Sequence, residues 1–168
     1  MRSAAGGASR PPLGPSISDG GGDAAWMGEA LAEAVAAGER REVPVGALVV
    51  QEGRVLARAG NVNIAARDPT GHAEICALRA AGTVAGSHRL LGAVLYVTVE
   101  PCAMCMGAAV HARVARVVYG CADPKGGAAG SVVDLAAHPQ LNHRIAVTAG
   151  VREDECRTLL QDFFRARR

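Results

Sequence analysis

The sequence predicts an α/β fold in three layers, a five-stranded mixed sheet with helices on both faces. Two observations carry this prediction. Residues 93–99 and 115–119 are short, nearly unbroken apolar runs, the composition of strands buried on both faces. Segments of helical length, with apolar residues three and four apart, stand before, between and after them. In order, the elements alternate helix, strand, strand, helix, strand, helix, strand, helix, strand, helix, which places helices on the faces of one sheet.

Residues 1–22 are rich in Gly, Pro, Ser, Ala and Arg and hold little that could build a core, so they read as a disordered tail ahead of one domain over 23–168. Residues 23–37 predict a helix capped by Asp23, with Met27, Ala30, Leu31, Ala34 and Val35 as its apolar stripe and Gly38 at its end. The run from Glu39 through Arg40 and Arg41 to Glu42 reads as a solvated turn. Residues 45–51 and 54–59 predict two strands around Glu52-Gly53, a hairpin. Residues 61–69 form a polar loop that leads into a helix over 73–81, with Thr70 as its N-cap.

The strand at 93–99 hands over through Glu100 and Pro101 to a helix that runs to about His111, with Pro101 tolerated in its first turn. A strand at 115–119 follows, and the helical crossover makes the two strands parallel. Residues 121–131 are a Gly-rich loop carrying Asp123 and Lys125. A short helix over 132–137, a last strand over 145–149 and a terminal helix over 151–167 complete the chain, the last with Leu159, Leu160 and Phe163 as its apolar side.

Composition narrows the function. A chain of 168 residues, 49% of them hydrophobic, is enough for one domain with a sizeable core. The net charge of +2 permits a nucleic-acid partner without arguing for one. Five aromatic residues argue against base stacking as the main mode of recognition. No stretch approaches a membrane span, and the N-terminus lacks the apolar run of a signal peptide, so a cytoplasmic, reduced protein without disulfides is expected. No organic cofactor is implied.

Two segments carry chemistry, Thr70-Gly-His72-Ala-Glu74-Ile75 and Pro101-Cys102-Ala-Met-Cys105. Imidazole nitrogen and two thiolates suit one zinc ion, and three protein ligands leave the open position that a catalytic site requires. Cys102 and Cys105 share one face of a helix within one turn, and a helix N-terminus lowers thiol pKa. His72 and Glu74, two residues apart, can serve one site only from the mouth of a helix. The expectation is therefore two helix N-termini facing one metal. Zinc with two thiolates and a neutral imidazole is formally neutral, so a non-ligand carboxylate, Glu74, is expected to take the proton from its water. A C-x-x-C pair alone also fits a redox site, or a structural zinc site with a fourth ligand from Cys76, Cys121 or His111.

The H-x-E…P-C-x-x-C pattern is a known signature of zinc-dependent nucleobase deaminases. More of the chain resembles the tRNA-specific adenosine deaminases of bacteria, within the cytidine-deaminase-like superfamily. The resemblance covers about residues 23–168 and includes Glu42-Val-Pro-Val-Gly46, Asp68-Pro-Thr-Gly-His-Ala-Glu-Ile75, Leu95-Tyr-Val-Thr-Val-Glu-Pro-Cys-Ala-Met-Cys105, Gly126-Gly-Ala-Ala-Gly-Ser131, Leu141-Asn-His-Arg144 and Asp162-Phe-Phe-Arg165. The metal motif specifies the superfamily, and the later segments point to the tRNA branch.

The resemblance implies the cytidine-deaminase-like fold and one zinc per subunit of a homodimer whose tRNA site uses both subunits. It implies conversion of adenosine to inosine at the wobble position of a tRNA anticodon, chiefly in an arginine tRNA with an ACG anticodon. A zinc-bound hydroxide attacks C6, with Glu74 as proton shuttle. His72, Cys102 and Cys105 match the zinc ligands. Asn61 matches an asparagine on the purine edge, and the Gly71 N–H matches a base contact where the family commonly has alanine. Backbone groups at Val99 and Glu100 are expected to meet the departing amine. Asp123 and Lys125 match a loop near the anticodon backbone. Phe163, Phe164 and Arg165 match a segment beside the target base, with Phe164 the better contact because Phe163 sits on the apolar stripe. The alternatives are a zinc-dependent deaminase of free cytidine, guanine or cytosine, and a catalytically silent zinc module.

Overall fold

The structure, a computed structural model, describes residues 22–167. The tail expected over residues 1–22 therefore lies outside the described residues, Gly22 excepted. In chain order the elements are α1 (Asp23–Glu39), β1 (Gly46–Gln51), β2 (Arg54–Gly60), α2 (Asn63–Ala66), α3 (Ala73–Ala85), β3 (Val94–Val99), α4 (Ala103–Ala112), β4 (Arg116–Cys121), β5 (Ala146–Thr148) and α5 (Glu153–Arg165). The strands form one sheet in the order β2-β1-β3-β4-β5. β1 is antiparallel to both β2 and β3, whereas β3, β4 and β5 are parallel, so the sheet is mixed as expected.

The period of two along each strand divides the core. Ala47, Val49, Leu95, Val97, Val117 and Tyr119 point to one face and pack with residues of α3 and α4. Leu48, Val50, Val94, Tyr96 and Val118 point to the other and meet Met27 and Ala30 of α1 and Cys156 of α5. This is the three-layer arrangement, and β3 is its central strand, with Val94 to Thr98 all buried. The β1–β2 hairpin turns at Glu52 and Gly53, with φ of 50° and 72°, the left-handed pair that a two-residue type I′ turn needs.

Three expectations fail here for local reasons. Asp23 does not cap α1, whose N-cap is Gly22 without a side-chain bond. Its carboxylate instead accepts from the Arg116 guanidinium and the Tyr96 hydroxyl, each at 2.8 Å. Thr70 does not cap α3 either. Its hydroxyl and its N–H both bond Asp68 Oδ1, at 2.7 and 2.8 Å, and the N-cap is His72. No helix forms over residues 132–137. The chain there folds back on the Gly-rich loop, with the Val132 N–H on the Gly127 carbonyl and the Leu135 N–H on the Ala128 carbonyl. Two adjacent β-branched residues, Val132 and Val133, favour that extended return over a helix. The β4-to-β5 crossover is therefore irregular.

Beyond Val99 the chain leaves β3, the Glu100 N–H bonds the Cys121 carbonyl at 2.8 Å, and α4 begins within three residues. The mouth of α4 thus opens at the carboxyl ends of parallel β3 and β4, where open α/β sheets keep their ligands. Among the described residues, no helix is long and apolar enough to cross a membrane.

Candidate metal centre and its cleft

Two helix N-termini meet at this point. His72 is the N-cap of α3 and Cys102 the N-cap of α4, both with extended backbone. Cys105 follows one turn inside α4. Pro101 stands just ahead of the cap, not in the first turn as expected. His72 Nδ1 lies 3.7 Å from Cys102 Sγ and 3.5 Å from Cys105 Sγ. A zinc ion about 2.0 Å from nitrogen and about 2.3 Å from sulfur holds such ligands about 3.5 Å apart across a tetrahedral edge. All three ligand atoms lie within 4.8 Å of one another, so the set fits a metal ion of this kind. Cys76 and Cys121 are not part of that cluster, and His111 lies at the far end of α4.

Hydrogen bonds from Cys105 and then His72 hold the Cys102 thiol down at about 3, while the same bond to Cys102 pushes the Cys105 thiol up. Glu74, in the first turn of α3, is 3% exposed, and its Oε2 has no hydrogen-bond partner among the described residues. Burial pushes its carboxyl above the usual range, against the pull of His72. An unpartnered buried oxygen is expensive to keep. His72, Cys102 and Glu74 line a cleft of about 960 Å³, together with Asn61, Glu100, Asp123, Lys125, Phe164 and Arg165.

The other expected contact residues fare differently. Asn61 is buried and its Oδ1 accepts the Ala73 N–H at 2.8 Å, which ties the end of β2 to the first turn of α3. Its Nδ2 makes no hydrogen bond among the described residues. Lys125 lines the cleft from the Gly-rich loop. Asp123 lines it too, but its Oδ1 is committed to the Lys125 and Gly126 N–H groups at 3.0 and 3.1 Å, so it shapes the loop. Phe164 is 48% exposed, and Phe163 meets it edge-on at 5.4 Å between ring centres.

Gly71 is not brought to the cleft. It is buried, and its N–H is given to the Asp68 carbonyl at 3.0 Å, leaving no donor for a base. The Glu100 carboxylate is also turned away from any substrate, because four donors of the Gly-rich loop surround it. Only the backbone of Glu100 remains for the expected role.

Glu42 was expected in a solvated turn but is 1% exposed. Its carboxylate accepts the Ile64 and Ala65 N–H groups, closest at 2.8 Å, and so caps α2 and fixes the wall that carries Asn61 and Asn63. Charge patterning hides it, and the Glu42-Val-Pro-Val-Gly46 segment is the signal that could have found it.

Residues 22–168 match the MafB19-like deaminase family. A tRNA-specific adenosine deaminase of Agrobacterium fabrum is 48% identical over 143 residues, 85% of this chain and 94% of that protein. One from Bacillus subtilis is 45% identical over 143 residues, 85% of this chain and 89% of its own. A solved structure from work on A-to-I editing by tRNA:A34 deaminases at the wobble position of transfer RNA superposes with a TM-score of 0.78 at 48% identity, covering 80% of this chain and 98% of that one.

Proposed function

We infer the function from the premise that the chain belongs to the MafB19-like deaminase family and, within it, to the tRNA-specific adenosine deaminases. It is an enzyme that converts adenosine to inosine at the wobble position of a tRNA anticodon. The observation that carries the chemistry is the buried Glu74 oxygen without a partner, beside a His72, Cys102 and Cys105 cluster on the cleft. The finer reading is a preference for an arginine tRNA with an ACG anticodon, in the cytoplasm, by a homodimer with one zinc per subunit.

His72, Cys102 and Cys105 would hold zinc, which would supply the Lewis acid that helps turn water into a nucleophile. The chain's own groups do the rest. The target base leaves the stack, which a loop nucleotide does more cheaply than a paired one. Asn61 Nδ2 offers donors to the purine edge. Water adds to C6, Glu74 carries one of its protons to N1 and then the remaining hydroxyl proton to the amino group, and the C6–N bond breaks as the C6 carbonyl forms and ammonia departs. A carboxyl raised by burial suits a group that must both hold and release that proton. Phe164 offers an exposed ring to a neighbouring base, and Lys125 and Arg165 offer charge to phosphates, so binding weakens with salt.

The test is inosine formation at the wobble position of an arginine tRNA with an ACG anticodon, beside Glu74→Ala. Conversion by the wild type and none by the mutant, with metal and tRNA still bound, is the expected result. No conversion by metal-loaded wild type overturns the tRNA assignment, and free cytidine, guanine and cytosine are then the substrates to try. Sedimentation showing a lone subunit at micromolar concentration overturns the homodimer.

A further inference from the structure

We propose that Glu100 is a positioning residue whose buried carboxylate clasps the Gly-rich segment 123–131 and so fixes the cleft wall that carries Lys125. Glu100 is 3% exposed. Its Oε2 accepts the Asp123 N–H at 3.0 Å and the Ser131 hydroxyl, and its Oε1 accepts the Ala129 N–H at 3.1 Å and the Ser131 N–H at 3.0 Å. Two donors on each oxygen fill the acceptor capacity of a carboxylate, so nothing is left over for a substrate.

The donors come from both arms of the segment, Asp123 on one side and Ala129 with Ser131 on the other. Backbone pairing ties the corner between them to the metal side, with the Ala128 N–H on the Pro101 carbonyl at 2.8 Å and a bridge between Cys102 and Gly127, and ties the arms to each other and to the chain beyond, with the Gly127 N–H on the Asp123 carbonyl at 2.9 Å and the Gly130 N–H on the Val133 carbonyl at 3.1 Å. At that corner the segment presses directly on the carboxylate. A Cβ on Gly127 would stand 2.3 Å from Glu100 Cδ and 2.4 Å from Oε2, so only glycine fits. Cys102 lies two residues beyond Glu100, so the clasp couples the wall to the metal side of the cleft. A buried carboxylate satisfied by charge-assisted bonds holds a fixed geometry, and an amide in its place turns one of the two acceptor oxygens into a donor that meets the donors already there.

The kinetic arm of the test rests on the tRNA reading, but the exchange arm does not. Glu100→Gln, Gly127→Ala, Glu100→Ala and the Glu100→Ala/Gly127→Ala pair are followed by hydrogen–deuterium exchange, metal content and turnover of an anticodon stem-loop. Glu100→Gln keeps its metal, and the amides of residues 123–131 exchange at least roughly tenfold faster, the effect of losing one charge-assisted bond. The rest of the chain is unchanged, which separates a clasp from a general loss of stability. KM for the stem-loop rises while kcat stays close to that of the wild type, because the wall orients substrate and takes no part in the bond changes. Gly127→Ala reproduces the exchange effect alone and adds little on top of Glu100→Ala, since removing the carboxylate makes room for the new methyl. Unchanged exchange over 123–131 in Glu100→Gln, or a Gly127→Ala effect equal in both backgrounds, overturns the clasp. Failure of the wild type on tRNA is a failure of the functional reading, and the exchange result still decides the clasp.

Discussion

Replacing Glu74 by glutamine keeps the shape of the side chain and removes its ability to carry a proton. Glu74 is 3% exposed and one of its oxygens has no partner, so the fold loses no hydrogen bond at Oε2. Burial already opposes its charge, so a neutral amide is expected to hold Tm level or raise it. On the proposed mechanism, catalysis loses a general acid–base group that serves several proton transfers in one turnover. Such a group contributes about 10²–10⁴ in rate, or about 3–5 kcal/mol of barrier, and repeated use of one carboxyl places Glu74 at the upper end. The assay is single-turnover inosine formation on an anticodon stem-loop, with metal content and stem-loop affinity measured on the same preparation. The expected result is a fall of about 10⁴ in rate with affinity unchanged within about twofold. A rate within about tenfold of the wild type refutes the proton-carrier role. Loss of metal or a lower Tm refutes the separation of Glu74 from the scaffold.

Other expectations test the scaffold around it. Leu95→Ala empties a fully buried position in the central strand, and is expected to remove roughly 2–5 kcal/mol of stability, read as a fall in Tm. Chelation removes a group that joins the mouths of α3 and α4, so Tm should fall with activity and return with zinc. A ligand at a hundred times its Kd contributes about 2.7 kcal/mol, and an unchanged Tm would argue against a site formed by the fold. The Arg116 guanidinium beside Asp23, with help from Tyr96, holds the Asp23 carboxyl below its usual value. A lowered folded pKa stabilises the protein above the unfolded value and is lost as pH falls through the folded one. The Tm difference between wild type and Asp23→Asn is therefore expected at pH 7 and should shrink below about pH 4. A difference that grows in acid contradicts the pairing.

What could be read from the sequence was local. Unbroken apolar runs marked β3 and β4, a Glu-Gly pair marked the hairpin turn, and three-residue spacing marked the two cysteines. The meeting of His72 with Cys102 and Cys105 spans thirty residues or more, yet it was legible because only a metal makes sense of those side chains together. Caps were read wrongly where another partner won, Asp68 two residues away in the case of Thr70. Asp23 went to Arg116, ninety-three residues away, and no local rule contains that pairing. The helix expected over 132–137 failed for a related reason, since its N–H groups found carbonyls in the loop that wraps Glu100. Gly71 suited a base contact by family resemblance, but its N–H is given within its own turn to the Asp68 carbonyl.

The buried glutamates show why residue type alone does not assign a role. Glu42, Glu74 and Glu100 are each no more than 3% exposed. Burial opposes the charge of every one, and each must answer that in some way. Glu42 does so with two N–H groups of α2, and Glu100 with four donors of the Gly-rich loop, enough to hold its carboxyl below the usual value despite burial. Both carboxylates are held mainly by backbone donors, which suits them to hold the two walls of the cleft. Glu74 differs in having an oxygen that no group answers, and its carboxyl is pushed up. On the proposed mechanism that unsatisfied carboxyl is the one that carries protons, while the two satisfied carboxylates hold the walls of the cleft around it.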